Sequence, residues 1–109
     1  MFARFVEFTP KAEKKDELFN TIRQEILPIM KKQPGFLELL PFVPENTKEK
    51  WVALSLWTEK HEAEKYAKEA FPKVEQILKP FLDGRFVVRM YTVETTVCKH
   101  FVEALTSVA

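Results

Sequence analysis

Four segments of this sequence alternate with the two-residue period of a β-strand, and each carries apolar residues on both of its faces. In the first segment, Phe2, Val6 and Phe8 fall on one face, whereas Ala3 and Phe5 fall on the other. A sheet built from such strands needs cover on both sides, because neither face suits water. The predicted strands span residues 2–9, 36–43, 51–57 and 85–94.

A helix is predicted between the first two strands. Thr9 and Pro10 fit an N-cap and a first helical residue, because threonine caps free backbone N–H groups and proline has none to satisfy. Pro28 is expected to kink this helix near its end. Its apolar residues recur at spacings of four and would face one core: Leu18, Ile22, Ile26 and Met30.

A second helical region is predicted between the third and fourth strands. Thr58 is the expected N-cap of a helix over residues 59–69, and a further helical piece follows Pro72. Asp83-Gly84 is expected to end that piece. After the fourth strand, Thr96 precedes a short amphipathic helix whose apolar side would hold Val97, Phe101, Ala104, Leu105 and Val108.

The predicted elements follow the order β-α-β-β-α-β, with a helical tail. This is the ferredoxin-like pattern of an α+β domain, in which a four-stranded antiparallel sheet carries the helices on one face. The other face would expose a larger apolar patch than monomers usually show, so it is expected to pack on a second copy of the chain. Two such sheets would enclose a barrel-like cavity.

The composition argues against several kinds of partner. Lys and Arg number 17 against 16 Asp and Glu, a net charge of +1, so neither nucleic acid nor a membrane is an expected partner. RNA-recognition domains share the element order, but the third strand lacks their glycines and their basic-aromatic pattern. Gly35 and Gly84 are too few for a phosphate-binding loop. The single Cys98, and a start that carries Arg4 and Glu7 unlike a signal peptide, predict a cytoplasmic protein.

Five charged residues occur within the predicted strands. A charge that faced a shared interior would need a partner and would have a shifted pKa, which makes each a candidate base or anion anchor. Half or more of them are expected to lie at strand ends in water. They are Arg4, Glu7, Glu38, Arg85 and Arg89.

Two local motifs resemble those of the antibiotic biosynthesis monooxygenase family. The run Gln33-Pro34-Gly35-Phe36 follows the first helix, and Leu56-Trp57-Thr58 leads from the third strand into a helix that carries Ala63 and Tyr66. The resemblance covers residues 1–94 and predicts one domain there, with residues 95–109 as a separate helical tail.

The resemblance implies a homodimer whose two sheets form a shared α/β barrel. It also implies a cofactor-independent monooxygenase that oxidises a small aromatic or quinol-type substrate with O2 in the barrel cavity. Other members of the family degrade haem, and many have no known activity. The alternative for this chain is therefore a non-catalytic dimeric barrel that binds a small apolar ligand.

The candidate site residues combine an aromatic wall with a few polar anchors. Trp57 matches a tryptophan that family members carry at the mouth of the cavity, and Arg89 is a permanent cation that could stabilise a phenolate or a superoxide-like oxygen. These two are the predicted catalytic residues. The alternative for the tryptophans is packing in the core or at a dimer interface. The predicted substrate-binding residues are Trp51, Ser55, Tyr66 and Phe5.

Two departures from the family pattern bear on the chemistry. The family's oxygenases carry an asparagine four residues before the tryptophan, where this chain has Ala53. The haem-degrading branch uses a histidine late in the second helix, and no histidine lies between His61 and His100. Neither haem nor any other cofactor is therefore expected, and no metal site is predicted. His61 fits a solvated helix residue, while His100 and Cys98 lie on the tail.

Overall fold

The first strand forms the centre of a four-stranded antiparallel sheet. In the computed structural model, which describes residues 1–106, β1 pairs with both β3 and β4, and the strand order is β2-β3-β1-β4. This confirms the ferredoxin-like α+β prediction. The elements are β1 (Phe2–Pro10), α1 (Lys15–Thr21), a π-helical segment (Ile22–Ile26), α2 (Leu27–Lys31), β2 (Phe36–Phe42), β3 (Trp51–Trp57), α3 (Lys60–Glu69), α4 (Phe71–Leu78), β4 (Leu82–Thr92) and α5 (Lys99–Thr106).

The register divides the sheet residues between two faces. Val6 lies opposite Ala53 on β3 and Val88 on β4, and directly paired residues share a face. The helices α1 to α4 cover this face, which we call the helix side. Glu7 lies opposite Val52 and Val87 on the other side, which we call the open face.

The helix side holds the two hydrophobic clusters of the core. One is built around Trp57 and brings α2, α3 and α4 onto the sheet. The other is built around Trp51 and brings in Leu18 of α1. Leu18 and Trp57 are the largest side chains that are completely buried.

The predicted start of the first helix is wrong by several residues. Thr9 and Pro10 continue β1, where they lie opposite Asp83 and Leu82. A proline is tolerated at this strand end because the position does not require a backbone N–H for a hydrogen bond to the neighbouring strand. A 3₁₀ turn at Ala12–Lys14 then leads into α1. Pairing with a distant strand thus outweighed the local capping signal.

The helix passes through Pro28 by widening one turn before it. The N–H of Leu27 donates to the carbonyl of Ile22, five residues back, as in a π-helix. Proline cannot donate to the preceding turn and its ring crowds the carbonyl there, so a wider turn accommodates it. The disturbance predicted at Pro28 is therefore a π-helical segment of five residues.

Asp83-Gly84 belongs to β4 and does not end the preceding helical piece. That piece ends in a 3₁₀ turn at Lys79–Phe81, and β4 begins at Leu82. Gly84 has a φ of 77°, beside a shift in the β1 to β4 register between Glu7 and Thr9. A positive φ at a glycine is typical of a β-bulge, which explains why a turn-like pair occurs inside a strand.

The tail helix lies beside the open face. Cys98 and Phe101 contribute to a groove against that face, while Val97 is largely exposed. Val108 of the predicted apolar stripe lies outside the described residues. No helix within residues 1–106 is long and apolar enough to cross a membrane.

A substitution at Gly35 measures how tightly the side chains pack around the turn before β2. It has a φ of 80°, and a Cβ there would overlap the carboxylate of Glu62 and crowd the Thr58 hydroxyl. Gly84→Ala is a matched control, because its φ is similar and nothing lies within 4 Å of a Cβ there. We expect the backbone strain to cost about 1–2 kcal/mol in both variants, and Gly35→Ala to cost about 1 kcal/mol more through the lost Thr58–Glu62 hydrogen bond.

Chemical denaturation of the two variants measures the difference. In a Glu62→Ala background, which already lacks both the overlapping carboxylate and this hydrogen bond, Gly35→Ala should cost about as much as Gly84→Ala. Equal costs for Gly35→Ala and Gly84→Ala would contradict the packing described here.

Candidate functional site

A small cavity lies between the helices and the helix side of the sheet. Its volume is about 50 Å³, which holds a few water molecules. Its wall is apolar except for Arg4, Ser55 and Tyr66. We call it the helix-side cavity, and its lining residues are Arg4, Val6, Phe8, Ile22, Ile26, Met30, Leu39, Pro41, Ala53, Ser55, Tyr66, Phe71, Val74, Leu78 and Phe86.

A second, much wider recess lies on the open face. It is an open groove of about 740 Å³ between the sheet and the tail. We call it the open-face groove, and its lining residues are Ala3, Phe5, Glu7, Phe42, Val52, Leu54, Leu56, Arg89, Tyr91, Val93, Cys98 and Phe101.

The predicted site residues do not come together in one place. Ser55 and Tyr66 line the helix-side cavity, and Phe5 and Arg89 line the open-face groove. Because the sheet separates the two recesses, these four side chains cannot bind one small molecule within a single chain. Their roles in binding or catalysis remain predictions.

Neither predicted tryptophan lines a recess. Trp57 is completely buried behind the helix-side cavity, where its Nε1–H donates to Ser55 Oγ at 2.9 Å. Ser55 Oγ in turn donates to the carbonyl of Arg4 at 3.4 Å. Trp57 therefore fixes the hydroxyl that faces the cavity. Trp51 lies in the other cluster, with its ring 5.2 Å from that of Phe19.

Arg89 is already paired on the open face. Its guanidinium lies 3.7 Å from the Glu7 carboxylate, and the two side chains are 58% and 25% exposed. A partly exposed pair of this kind contributes little to stability. The neighbouring Tyr91 contacts Phe5 edge to face, with ring centroids 5.3 Å apart.

Arg4, one of the five strand charges considered as anion anchors, is a functional candidate that the predicted site residues did not include. It lies mid-strand on β1 and is only 3% exposed, although half or more of the strand charges were expected in water. Its Nε is buried without a hydrogen bond, and within residues 1–106 no carboxylate lies at ion-pair distance from it. The signal was present, since alternation places Arg4 on the same face as Phe2 and Val6.

Aromatic rings take the place of a counter-ion around Arg4. The guanidinium carbon lies 4.1 Å from the ring centroid of Phe71 and 5.5 Å from that of Tyr66. Burial lowers the pKa of Arg4, while electrostatic interactions with Tyr66 and with the exposed Glu75 raise it. An arginine stays protonated at any ordinary pH, so a desolvated positive charge persists in the cavity wall.

Tyr66 is a hydrogen-bond donor and not a base in this setting. Burial raises the pKa of Tyr66 to about 12, although the nearby Arg4 charge acts in the opposite direction. The phenol therefore keeps its proton throughout the neutral range. A neutral phenol beside a cation can donate to an oxygen that becomes negative.

Irregular helical segments form the helical wall of the cavity. Ile22 and Ile26 belong to the π-helical segment, and Phe71 and Val74 follow the break between α3 and α4 at Ala70. π-Helical turns occur frequently at functional sites because they re-aim side chains.

The sequence profile of the antibiotic biosynthesis monooxygenase family matches residues 1–71. The chain belongs to this family. No curated protein matches the sequence.

Solved structures of the antibiotic biosynthesis monooxygenase type share the fold at low sequence identity. A candidate antibiotic biosynthesis monooxygenase from Nitrosomonas europaea is 12% identical, with a TM-score of 0.69 over 86% of this chain and 99% of that one. One from Caulobacter crescentus is 14% identical, with a TM-score of 0.70 over 85% and 90%. The haem degrader MhuD of Mycobacterium tuberculosis, solved with two haems in its active site, is 14% identical, with a TM-score of 0.70 over 86% and 96%.

The family's two motifs form one structural unit here. The carbonyl of Gly35 accepts a hydrogen bond from the Thr58 N–H at 2.9 Å, and Phe36 lies opposite Trp57 in the sheet. The Trp57 ring lies 4.9 Å from that of Tyr66. Residues that identify the antibiotic biosynthesis monooxygenase family thus join β2, β3 and α3.

Haem does not fit the helix-side cavity of this family member. Among the described residues that line it there is neither histidine nor cysteine to bind the haem iron. His61 is exposed on α3 beside Glu59, at 3.3 Å. No group of three or more His, Cys, Asp or Glu side chains within residues 1–106 is arranged to hold a metal ion.

The pKa of Tyr66 can be measured directly. Since the folded-state pKa of about 12 exceeds the ordinary value near 10, the neutral phenol contributes stability that is full below about pH 10 and is lost as the pH rises towards 12. The free energy of unfolding of the wild type should therefore fall by about 2–3 kcal/mol more than that of Tyr66→Phe across this range.

The tyrosinate absorbance provides an independent check. The chain has two tyrosines, so in a Tyr91→Phe background Tyr66 is the only one left to titrate. A titration midpoint near 10 in the folded protein would contradict the burial of Tyr66.

Proposed function

We propose that this chain is a cofactor-independent monooxygenase that oxidises a small aromatic or quinol-type substrate with O2 in the helix-side cavity. Family membership supports the reaction class. The wall of the helix-side cavity supports this location for the reaction, because it combines aromatic rings with three polar residues, Arg4, Ser55 and Tyr66. Apolar pockets with a few convergent polar groups are typical ligand sites.

In the proposed reaction, the protein has to activate the substrate and orient it towards O2. When a phenol becomes a quinone, one oxygen atom of O2 enters the ring and the other leaves as water with two hydrogens from the substrate. Negative charge develops on oxygen as the electrons pass from substrate to O2. The Tyr66 hydroxyl is placed to donate to that oxygen, and Ser55 Oγ has a lone pair for a substrate hydroxyl.

Trp57 acts in this proposal as a positioning residue. Its Nε1–H holds Ser55 Oγ, and its ring supports that of Tyr66. A side chain so placed cannot touch the substrate, but it fixes both hydroxyls that do. Trp57 was first predicted to form the aromatic wall of the cavity. In this proposal the rings of Phe71 and Phe86 form that wall.

The open face is proposed as the homodimer interface. Large apolar side chains remain exposed there, among them Phe42, Val87, Tyr91 and Phe101. Patches of this kind mark association surfaces. Phe5 and Arg89, predicted as site residues, belong to this face and would contribute to the dimer. We also propose a cytoplasmic location, which the single Cys98 supports.

Oxygen uptake tests the proposed reaction. The purified protein is mixed anaerobically with individual quinols and polyphenols, and air is then admitted. At least one compound should consume oxygen above the protein-free rate, and Tyr66→Phe should lower kcat by at least about tenfold because a donor to the developing oxyanion is lost. Trp57→Phe, which keeps a ring but loses the bond to Ser55, should lower kcat as well.

His61→Ala is the control, because that side chain is exposed and lines neither recess. If compounds bind, as quenching of tryptophan fluorescence reports, and no oxygen is consumed, the non-catalytic ligand-binding barrel is the correct function. Equal rates in wild type and Tyr66→Phe would remove the helix-side cavity as the reaction site.

Two neighbouring valines of β4 test the interface. Val87 on the open face is 36% exposed, and Val88 on the helix side is 40% exposed, beyond the cover of the helices. Val87→Lys should weaken dimerisation about tenfold or more, since it buries a charge in an apolar contact, whereas Val88→Lys should not. Sedimentation equilibrium measures both. An effect of the same size from Val88→Lys would contradict an interface on the open face.

A further inference from the structure

The most unusual side chain of the core is the guanidinium of Arg4. It is held on the central strand, between Ser55 on β3 and Met90 on β4, and only 3% of it is exposed. Its Nε has no hydrogen-bond partner, and no carboxylate among residues 1–106 reaches ion-pair distance. Buried charges in proteins are ordinarily paired, so this one lacks its usual compensation.

Packing alone gives no reason for a charge at this position. Val6 and Phe8 occupy the next positions of the same face with apolar side chains. Even a buried ion pair can often be replaced by apolar residues of similar volume without loss of stability. The rings of Phe71 and Tyr66 offset part of the desolvation of Arg4 by cation–π contact, but they satisfy none of its N–H groups.

The surroundings of Arg4 define what would satisfy it. Arg4 is the only charged residue among the described ones that line the helix-side cavity. Its planar N–H fork matches the two oxygens of a carboxylate or the single oxygen of a phenolate. The planes of the Phe71 and Phe86 rings meet at 68°, with centroids 5.6 Å apart, and both rings offer apolar surface to a flat ligand.

We propose that Arg4 binds the anionic group of a small aromatic acid, a carboxylate or phenolate, in the helix-side cavity. This assigns the site a preference for anionic over neutral substrates, and it rests on the proposed function only in placing the ligand in that cavity. A phenolate is also the electron-rich form of a phenol, so the preference suits a substrate that gives electrons to O2.

Binding of a ring requires the cavity to widen. A volume of about 50 Å³ is smaller than a benzene ring with its substituent needs, and ligand pockets usually exceed about 300 Å³. The segments that would move are the π-helical segment and the start of α4, because both interrupt regular helices and both line the cavity.

Benzoate and its neutral isostere benzamide test the proposal. Neither is a quinol, so binding can be measured by isothermal titration calorimetry without any oxygen chemistry. The wild type should bind benzoate at least about tenfold more tightly than benzamide. Arg4→Met should abolish that difference by weakening benzoate, while benzamide changes less than about twofold.

Arg85→Met is the matched control. Arg85 lies on β4, is exposed and lines neither recess, so this variant removes the same charge without touching the cavity. It should keep the preference for benzoate. Arg4→Lys keeps the charge but not the fork, and should retain a weakened preference. This variant also serves if Arg4→Met fails to fold.

Several outcomes would overturn the proposal. They are equal affinity of the wild type for benzoate and benzamide, binding of neither, or a benzoate preference that survives Arg4→Met. The proposed oxygenase activity can fail separately: benzoate binding through Arg4 without oxidation of any quinol sustains the anion site and refutes the reaction. Oxidation of a quinol by a wild type that binds benzoate and benzamide equally sustains the reaction and refutes the anion site.

Discussion

The contact between Trp57 and its neighbours holds the halves of this fold together. Trp57 ends β3, pairs with Phe36 of β2 and packs under Tyr66 of α3, and none of it reaches solvent. Burying an indole of this size contributes about 4–6 kcal/mol from area alone. Ala63, which is also completely buried, lets α3 approach the sheet closely. Trp57 is therefore first a packing residue, and in the proposed reaction it acts through the hydroxyls that it positions.

Much of the fold could be predicted because its strongest signals are local. The alternation of β3 gave its bounds and both faces correctly, and the fourfold spacing around Leu18 and Ile26 identified the core side of the first helix. The errors arose where distant pairing competes with local signals. Thr9-Pro10 resembles the start of a helix, but it pairs with β4 and belongs to the sheet. Asp83-Gly84 resembles the end of a helix, but it lies at a bulge in β4.

The candidate site could be predicted only in part, because a residue's face is local information and its depth is not. Alternation placed Ser55 and Trp57 together, and Arg89 with Tyr91, as the structure has them. It could not show which recess each face adjoins, since that depends on where the helices cross. Arg4 was one of five strand charges considered as anion anchors, but its burial was not expected, because charged side chains are seldom buried without a partner. The unpaired burial of Arg4 is an exception to this rule, and for that reason Arg4 is a candidate for binding an anion.

The two faces of β1 differ in charge pairing and in exposure to water. On the open face, Arg89 already has Glu7 as a partner, so an incoming anion would have to displace a carboxylate in a region that water still reaches. On the helix side, Arg4 has aromatic rings and no counter-ion, in surroundings of low polarity where charges act strongly. Recognition of an anion is therefore favoured on the helix side, and association of apolar surfaces on the open face. The two proposals involve successive residues of one central strand, so a partner that packs on Ala3 and Phe5 would also hold in place the backbone that carries Arg4.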